Sequence, residues 1–282
     1  MATATNTQGN LRLAWPLALV FLVLFVAPLA MLFALSLRAP GTGALGIAQY
    51  VRFLGDSFSL GVLGSTLWLG VKVTLLCLLL GYPLAWLYVR APAWLRGPMM
   101  LAILLPLLTS VVVRTFAWIV ILGRQGIINE TLIGLGLTAT PLKLLYTDAG
   151  LVVALAQVQM PLMVLPLVTA LFRVDPNLAD ASAILGAGAW RGFLRVQLPL
   201  TLPGIIAGCL LTYAGAITAF ITQSLVGGGQ MLFMPGYLYQ QASTLQDWSF
   251  AAAISVIFLI AVLAVVSIFN TLGRLSRGYA QV

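Results

Sequence analysis

Apolar runs of bilayer length recur six times along this chain, and no water-soluble fold accommodates that pattern. Residues 13–37, 61–89, 98–122, 149–172, 200–226 and 248–272 each reach the roughly 20 residues a helix needs to cross the hydrocarbon. In lipid every backbone N–H and C=O must find a partner within the protein, so such runs are helices. The expectation is an all-α integral membrane protein with six transmembrane helices. Composition agrees: 7% of the residues are charged, against about 25% in a soluble domain. Residues 13–37 are too long for the h-region of about 7–15 residues in a cleaved leader. No clear cleavage site follows, so we read an uncleaved first span behind a polar tail at 1–12, with a second tail at 273–282.

Lys and Arg set the orientation. Arg12, Arg90, Arg96, Arg173, Arg191, Arg195, Arg274 and Arg277 fall on one side, with only Asp175 and Asp180 as acids. Arg38, Arg52, Arg124 and Lys143 fall on the other, balanced by Asp56, Glu130, Asp148 and Asp247. The first side is the cytoplasmic one, so both termini and residues 173–200 are expected there. The basic residues form no run or stripe, so nucleic acid is not an expected partner, whereas membrane lipid is.

Several chemistries are excluded. The chain has no His, which removes histidine metal sites and histidine acid–base catalysis. Its six acids offer no paired carboxylates within the spans. Gly227-Gly228-Gly229 lacks the Lys-Ser/Thr of a phosphate loop. Gly186-Ala187-Gly188 is followed by Gly192 and by no strand-to-helix pattern, so it misses the dinucleotide fingerprint. Cys77 and Cys209 sit singly in apolar runs and read as small core residues. No catalytic residue, bound cofactor or metal is expected.

The one long interruption on the cytoplasmic side carries the functional signal. Asp175 can cap a helix whose first turn suits Pro176. Leu178, Ala181, Ser182 and Leu185 then share a face. Gly186 and Gly188 end that helix or admit another surface. Trp190, Phe193, Leu194 and Gln197 mark a second short amphipathic turn, and Pro199 and Pro203 bound the next apolar run. Two short helices with an apolar side, lying between spans four and five, form a docking surface.

This stretch resembles the EAA loop of bacterial ABC importer permeases. The triplet is Asp180-Ala181-Ser182, with Gly186 after it and Leu198-Pro199 beyond. Asp stands for Glu and Ser for the second Ala. The likeness runs over about 61–272 and is similar to the spermidine/putrescine-type branch. Its marks are Gly81-Tyr82-Pro83 with Ala85-Trp86, Arg114-Thr115-Phe116-Ala117-Trp118 with Gly123-Arg124, and DWSFAAAISV from Asp247. The resemblance implies the type I ABC importer permease fold, with a cytoplasmic coupling-helix loop between spans four and five. It also implies a subunit that is not itself an enzyme. Its partners would be a second and different permease, two cytoplasmic ATPase subunits that use the ATP, and an external solute-binding protein. Together they would move a small organic solute, a polyamine or similar, across the inner membrane by alternating access. An aminophosphonate, opine or amino-acid derivative is the alternative cargo. Asp180, Ala181, Ser182, Gly186, Leu198 and Pro199 are carried over as the ATPase-coupling residues. A channel or scaffold is the reading from a different class, and neither needs such a loop.

Polar residues inside the spans are the candidate pathway. Lys72 and Arg114 are the two cations within apolar runs, where a charge costs about 2.5–3.5 kcal/mol on insertion scales. Each reads either as a pathway or gate contact or as a side chain with an interior partner. Trp118, one turn beyond Arg114, reads as a stacking surface or as plain packing. Tyr213, Thr218, Thr222 and Gln223, with Thr212 and Ser224, make the fifth span more polar than lipid contact favours. They line the pathway, or bond back to their own helix.

Overall fold

The computed structural model describes residues 15–16, 19–38, 45–175, 177–184 and 186–277. The N-terminal tail at 1–12, Pro176 and Leu185 lie outside the described residues, as does 278–282 of the C-terminal tail. Among the described residues all regular structure is helical, and strand pairing is limited to an isolated Arg38–Leu45 bridge. Six helical segments are long and apolar enough to span a membrane. The first is Leu19–Ser36 (α1). A short amphipathic helix, Ala48–Gly55 (α2), precedes the second, Ser57–Arg90 (α3). Ala93–Leu108 (α4) leads into Val111–Leu122 (α5) and Ile127–Gly134 (α6). Asp148–Leu171 (α7) is followed by Asn177–Ile184 (α8), the first short helix of the 173–200 loop. Trp190–Ile217 (α9) continues into Phe220–Val226 (α10). Met234–Tyr239 (α11) and Trp248–Arg277 (α12) complete the chain.

Two compact units divide these helices. One comprises described residues within 1–60 together with 238–260. There Arg52 of α2 donates to Asp247 at 2.8 Å, and its guanidinium lies 3.9 Å from the centre of the Phe250 ring. Asp247 also accepts from the Phe250 amide at 3.1 Å, capping α12. Asp56 caps α3 in the same way, accepting from the Ser59 hydroxyl at 2.6 Å and the Ser59 amide at 3.1 Å. The Ser59 hydroxyl, then the nearby amides, hold the Asp56 carboxyl below its usual range.

The second unit, within 61–237 and 261–282, holds the core. Leu69, Val73 and Cys77 of α3 pack with Leu151, Leu155, Met163 and Leu167 of α7. Of its most apolar window, α7 buries 61% while α1 buries 6%, so α7 is the most enclosed of the six spans and α1 is largely exposed on the isolated chain. Helices α7 and α9 approach closely. A Cβ built on Gly204 would lie 2.4 Å from Ala170 Cβ, and one on Gly208 would lie 2.9 Å from the Met163 carbonyl oxygen. The backbones meet because neither glycine has a side chain, as small residues one turn apart allow in membranes. Both cysteines are buried, and Cys77 donates to the Ala156 carbonyl at 3.3 Å.

Three spans differ from their apolar runs. The second helix begins earlier, at Ser57. The run at 98–122 is two helices, because Thr109 and Ser110 are extended and end α4. The run at 200–226 starts its helix ten residues earlier and breaks at Thr218–Ala219. Hydropathy is continuous through both breaks, so it cannot reveal them. Prolines within α3, α4, α7 and α9 remain helical, as neighbouring elements in a membrane protein allow.

The 123–148 connection is ordered by one buried side chain. Asn129 donates to the Gly123 and Leu142 carbonyls, each at 3.0 Å, and accepts from the Leu142 amide at 2.8 Å. Asn129→Leu keeps the volume but strands these backbone groups. We expect a loss of about 2–4 kcal/mol, read as a lower thermal midpoint in detergent. An unchanged midpoint would refute this role.

Candidate functional site

The 173–200 loop begins as the residues predict. The Asp175 carboxylate accepts from the Asn177 amide at 2.9 Å, and α8 follows. Ala181 is exposed and Ser182 half-buried. Asp180 falls within α8, but its side chain lies outside the described residues. Gly186 ends the helix at φ +81°, a left-handed conformation natural to glycine. The Ala187 amide donates to the Ser182 carbonyl at 3.0 Å, satisfying one of the last helical carbonyls. A Cβ on Gly192 would approach Ser182 Oγ to 3.0 Å, so the two arms of the turn close on each other there.

The second arm corrects the expectation of a separate short helix. Residues 189–192 run without a break through a π segment, Phe193–Gln197, that forms part of α9 itself. The Leu198 amide donates to the Phe193 carbonyl. Pro199 has no amide to offer the Arg195 carbonyl, and the widened turn sits just before it. Leu198 and Pro199 are therefore half-buried members of a continuous helix. The loop exposes apolar side chains: Ile184 is 87% and Trp190 72% exposed. Arg173, Arg191 and Arg195 are exposed too. An apolar, basic-edged knob on a stiff helix can bind a protein surface and carry force into the membrane.

The candidate pathway residues fall into three places. Lys72 of α3 pairs with Asp148 at the start of α7, where the helix dipole favours an acid. Arg114 has an interior partner. Its guanidinium folds back from the first turn of α5 and donates to the Pro106 carbonyl. That carbonyl lies at the broken end of α4, where partial negative charge gathers, and Thr109 Oγ1 donates to it as well at 3.2 Å. Trp118 Nε1 donates to Gln157 of α7 at 3.2 Å.

The fifth-span polar residues serve the second break. Gln223 of α10 donates to the Ala216 and Ile217 carbonyls at 2.8 and 3.2 Å, capping α9 across the gap. Thr218 is exposed at the break and bonds back to the Ala214 carbonyl at 2.7 Å. Thr222 and Thr115, both buried, join α10 to α5 through hydroxyls 3.3 Å apart. Tyr213 is fully buried, its ring centroid 6.0 Å from that of Phe269. Tyr213, Thr222 and Gln223 thus face into the chain and not onto an open path.

Three features escaped the linear reading. Arg96 donates to the Ala91 and Val89 carbonyls at 2.9 and 3.0 Å, closing the turn after α3. Tyr82 joins the docking arm to α3, as described below. The close α7–α9 contact was signalled by Gly204 and Gly208, four residues apart.

This architecture defines the membrane-spanning subunit of a transporter. The chain belongs to the family of binding-protein-dependent transport system inner membrane components, which matches residues 77–276. It is a multi-pass inner-membrane permease, and ATP hydrolysis belongs to a separate subunit in this family. It is 34% identical over 208 residues to the spermidine/putrescine transport system permease protein PotB of Salmonella typhimurium (strain SL1344), covering 74% of this chain and 72% of that protein. The molybdenum transport system permease protein ModB of Escherichia coli (strain K12) is 34% identical over 217 residues, covering 74% and 93%. In fold the chain is similar to a bacterial ABC transporter involved in the import of the acidic polysaccharide alginate. That match has a TM-score of 0.78 and 17% identity, and covers 95% of this chain and 98% of the other.

Proposed function

We propose that this chain is one of two permeases in a type I ABC importer that carries a polyamine-class cation inward. The second permease is a different chain. Two ATPase subunits sit on the cytoplasmic side, an external binding protein delivers the cargo, and ATP is used by the ATPases alone. The observation that carries the reading is the exposed Ile184–Trp190 knob, turned at Gly186 and continuous with α9. Ser182, Gly186, Leu198 and Pro199, with Asp180 and Ala181, form the coupling element. The excess of Lys and Arg on that side supports cytoplasmic termini. The similarity to PotB supports the polyamine class. The pathway reading stays with Thr218, exposed at a helix break, and with Lys72 at its ion pair. Arg114, Trp118, Tyr213, Thr222 and Gln223 hold the helices that frame it.

Reconstitution tests this directly. The tagged chain, purified in mild detergent, should bring an ATPase and a second permease with it. In proteoliposomes with the binding protein, spermidine uptake should require ATP and saturate. Uptake of molybdate instead of spermidine would overturn the cargo class. A chain that purifies without an ATPase under several mild conditions would overturn the importer reading.

A further inference from the structure

We infer that Tyr82 is the positioning residue that links the docking arm to helix α3. The inference rests on the reading of the Ile184–Trp190 knob as the ATPase contact. The Trp190 ring lies on the knob and stacks on Phe193, with centroids 5.6 Å apart and planes 24° from parallel. Phe193 meets the Tyr82 ring edge to face, at 5.6 Å and 83°. Tyr82 is 8% exposed, and its hydroxyl lies 3.1 Å from Thr201 Oγ1 on α9.

The direction of that bond follows from the donor count. Thr201 has one hydroxyl hydrogen, and its Oγ1 lies 3.1 and 3.0 Å from the Gln197 and Leu198 carbonyls, which can only accept. Tyr82 is therefore the donor and Thr201 the acceptor. Three rings run without a gap from the exposed knob to α3, and the Tyr82–Thr201 hydrogen bond ties that end back to α9.

The place where they arrive matters. Pro83 follows Tyr82, and its missing amide leaves the Leu79 carbonyl without its helical partner, so α3 is weakest at that turn. Gly81 seats the same turn on α7, since a Cβ there would come within 3.0 Å of Met163 Cγ. Lys72 and its Asp148 partner lie about 15 Å further along α3. A push on Trp190 therefore reaches α3 at its compliant point and tilts the part that carries the Lys72 pair. This makes Tyr82 the residue through which the docking movement is passed to α3.

The test uses the complete reconstituted importer with its binding protein, and measures cargo imported per ATP hydrolysed. Tyr82→Phe keeps the ring and removes the donor. Thr201→Val removes the acceptor, and Thr201→Ser keeps it. Each disabling variant should lower import per ATP by about fivefold, the size of one neutral hydrogen bond. The double variant should be no worse than either single one, Thr201→Ser should match wild type, and basal hydrolysis and subunit content should be unchanged. Unchanged import per ATP in Tyr82→Phe and Thr201→Val would overturn the inference, as would a loss matched by lost assembly. Trp190→Ala separates the two readings. If it releases the ATPase while the Tyr82 and Thr201 variants are silent, the docking reading stands and the link falls. If it leaves ATPase retention and activity untouched, both fall.

Discussion

Gly208→Leu is expected to abolish accumulation of the folded protein in the membrane. Even a single Cβ at this position would come 2.8 Å from Met163 Sδ and 2.9 Å from the Met163 carbonyl oxygen. A thioether can swing aside, but a carbonyl in the middle of α7 cannot move without its helix. Four residues earlier, Gly204 faces the Pro166 carbonyl at 2.8 Å in the same way, so the helices cannot pivot about one point to make room. Overpacking by a few methylenes costs about 1–3 kcal/mol in cores that can yield. Leucine against backbone costs more, within a total stability on the order of 5–15 kcal/mol. The check is monodisperse yield by size exclusion and the thermal midpoint in detergent. Gly64→Ala is the control, since nothing lies within 4 Å of a Cβ there and helix propensity favours alanine. Wild-type yield and midpoint for Gly208→Leu would refute the close α7–α9 packing.

Gly186→Val is expected to uncouple ATP hydrolysis from transport by at least about tenfold in cargo imported per ATP. Nothing lies within 4 Å of a Cβ at this position, so the cost is purely conformational. At φ +81° an L residue loses about 1–2 kcal/mol, and β-branching adds to that. Other backbone angles would swing the α8 arm away from Gly192, and with it the spacing of Ile184 from Trp190. The spans lie outside this turn, so the protein should still fold and insert. Gly186→Asn tolerates the left-handed region and should keep most of the coupling. Uptake measured beside hydrolysis in proteoliposomes decides the matter. Normal cargo-stimulated hydrolysis and normal uptake in Gly186→Val would refute the assignment of this turn.

The pathway residues show where reading a linear chain stops. Lys72 and Arg114 were legible as expensive charges needing partners, but not as to which partners. Asp148 stands far away in the chain, in a segment that reads as loop, and Pro106 offers only a backbone carbonyl, which no side-chain pattern announces. The carbonyl is available because α4 ends at Leu108, and that break sits inside an apolar run. Gln223 and Thr222 were legible as too polar for lipid. Which way they point depended on a second break at Thr218–Ala219, beyond the reach of hydropathy.

The chain alone determined that there are six apolar crossings, how Lys and Arg divide between alternate connections, and where the glycine turn between the fourth and fifth spans lies. Each is a local property: length against bilayer thickness, Lys and Arg counts beside the spans, and a capped helix ending at glycine. Tertiary structure alone decided that α7 is the most enclosed span, that glycines bring α9 onto its backbone, and that Arg114 and Gln223 close two broken helices. It alone carried the docking arm through Phe193 and Tyr82 into α3. These depend on which surfaces meet, and surfaces meet only once the helices have packed.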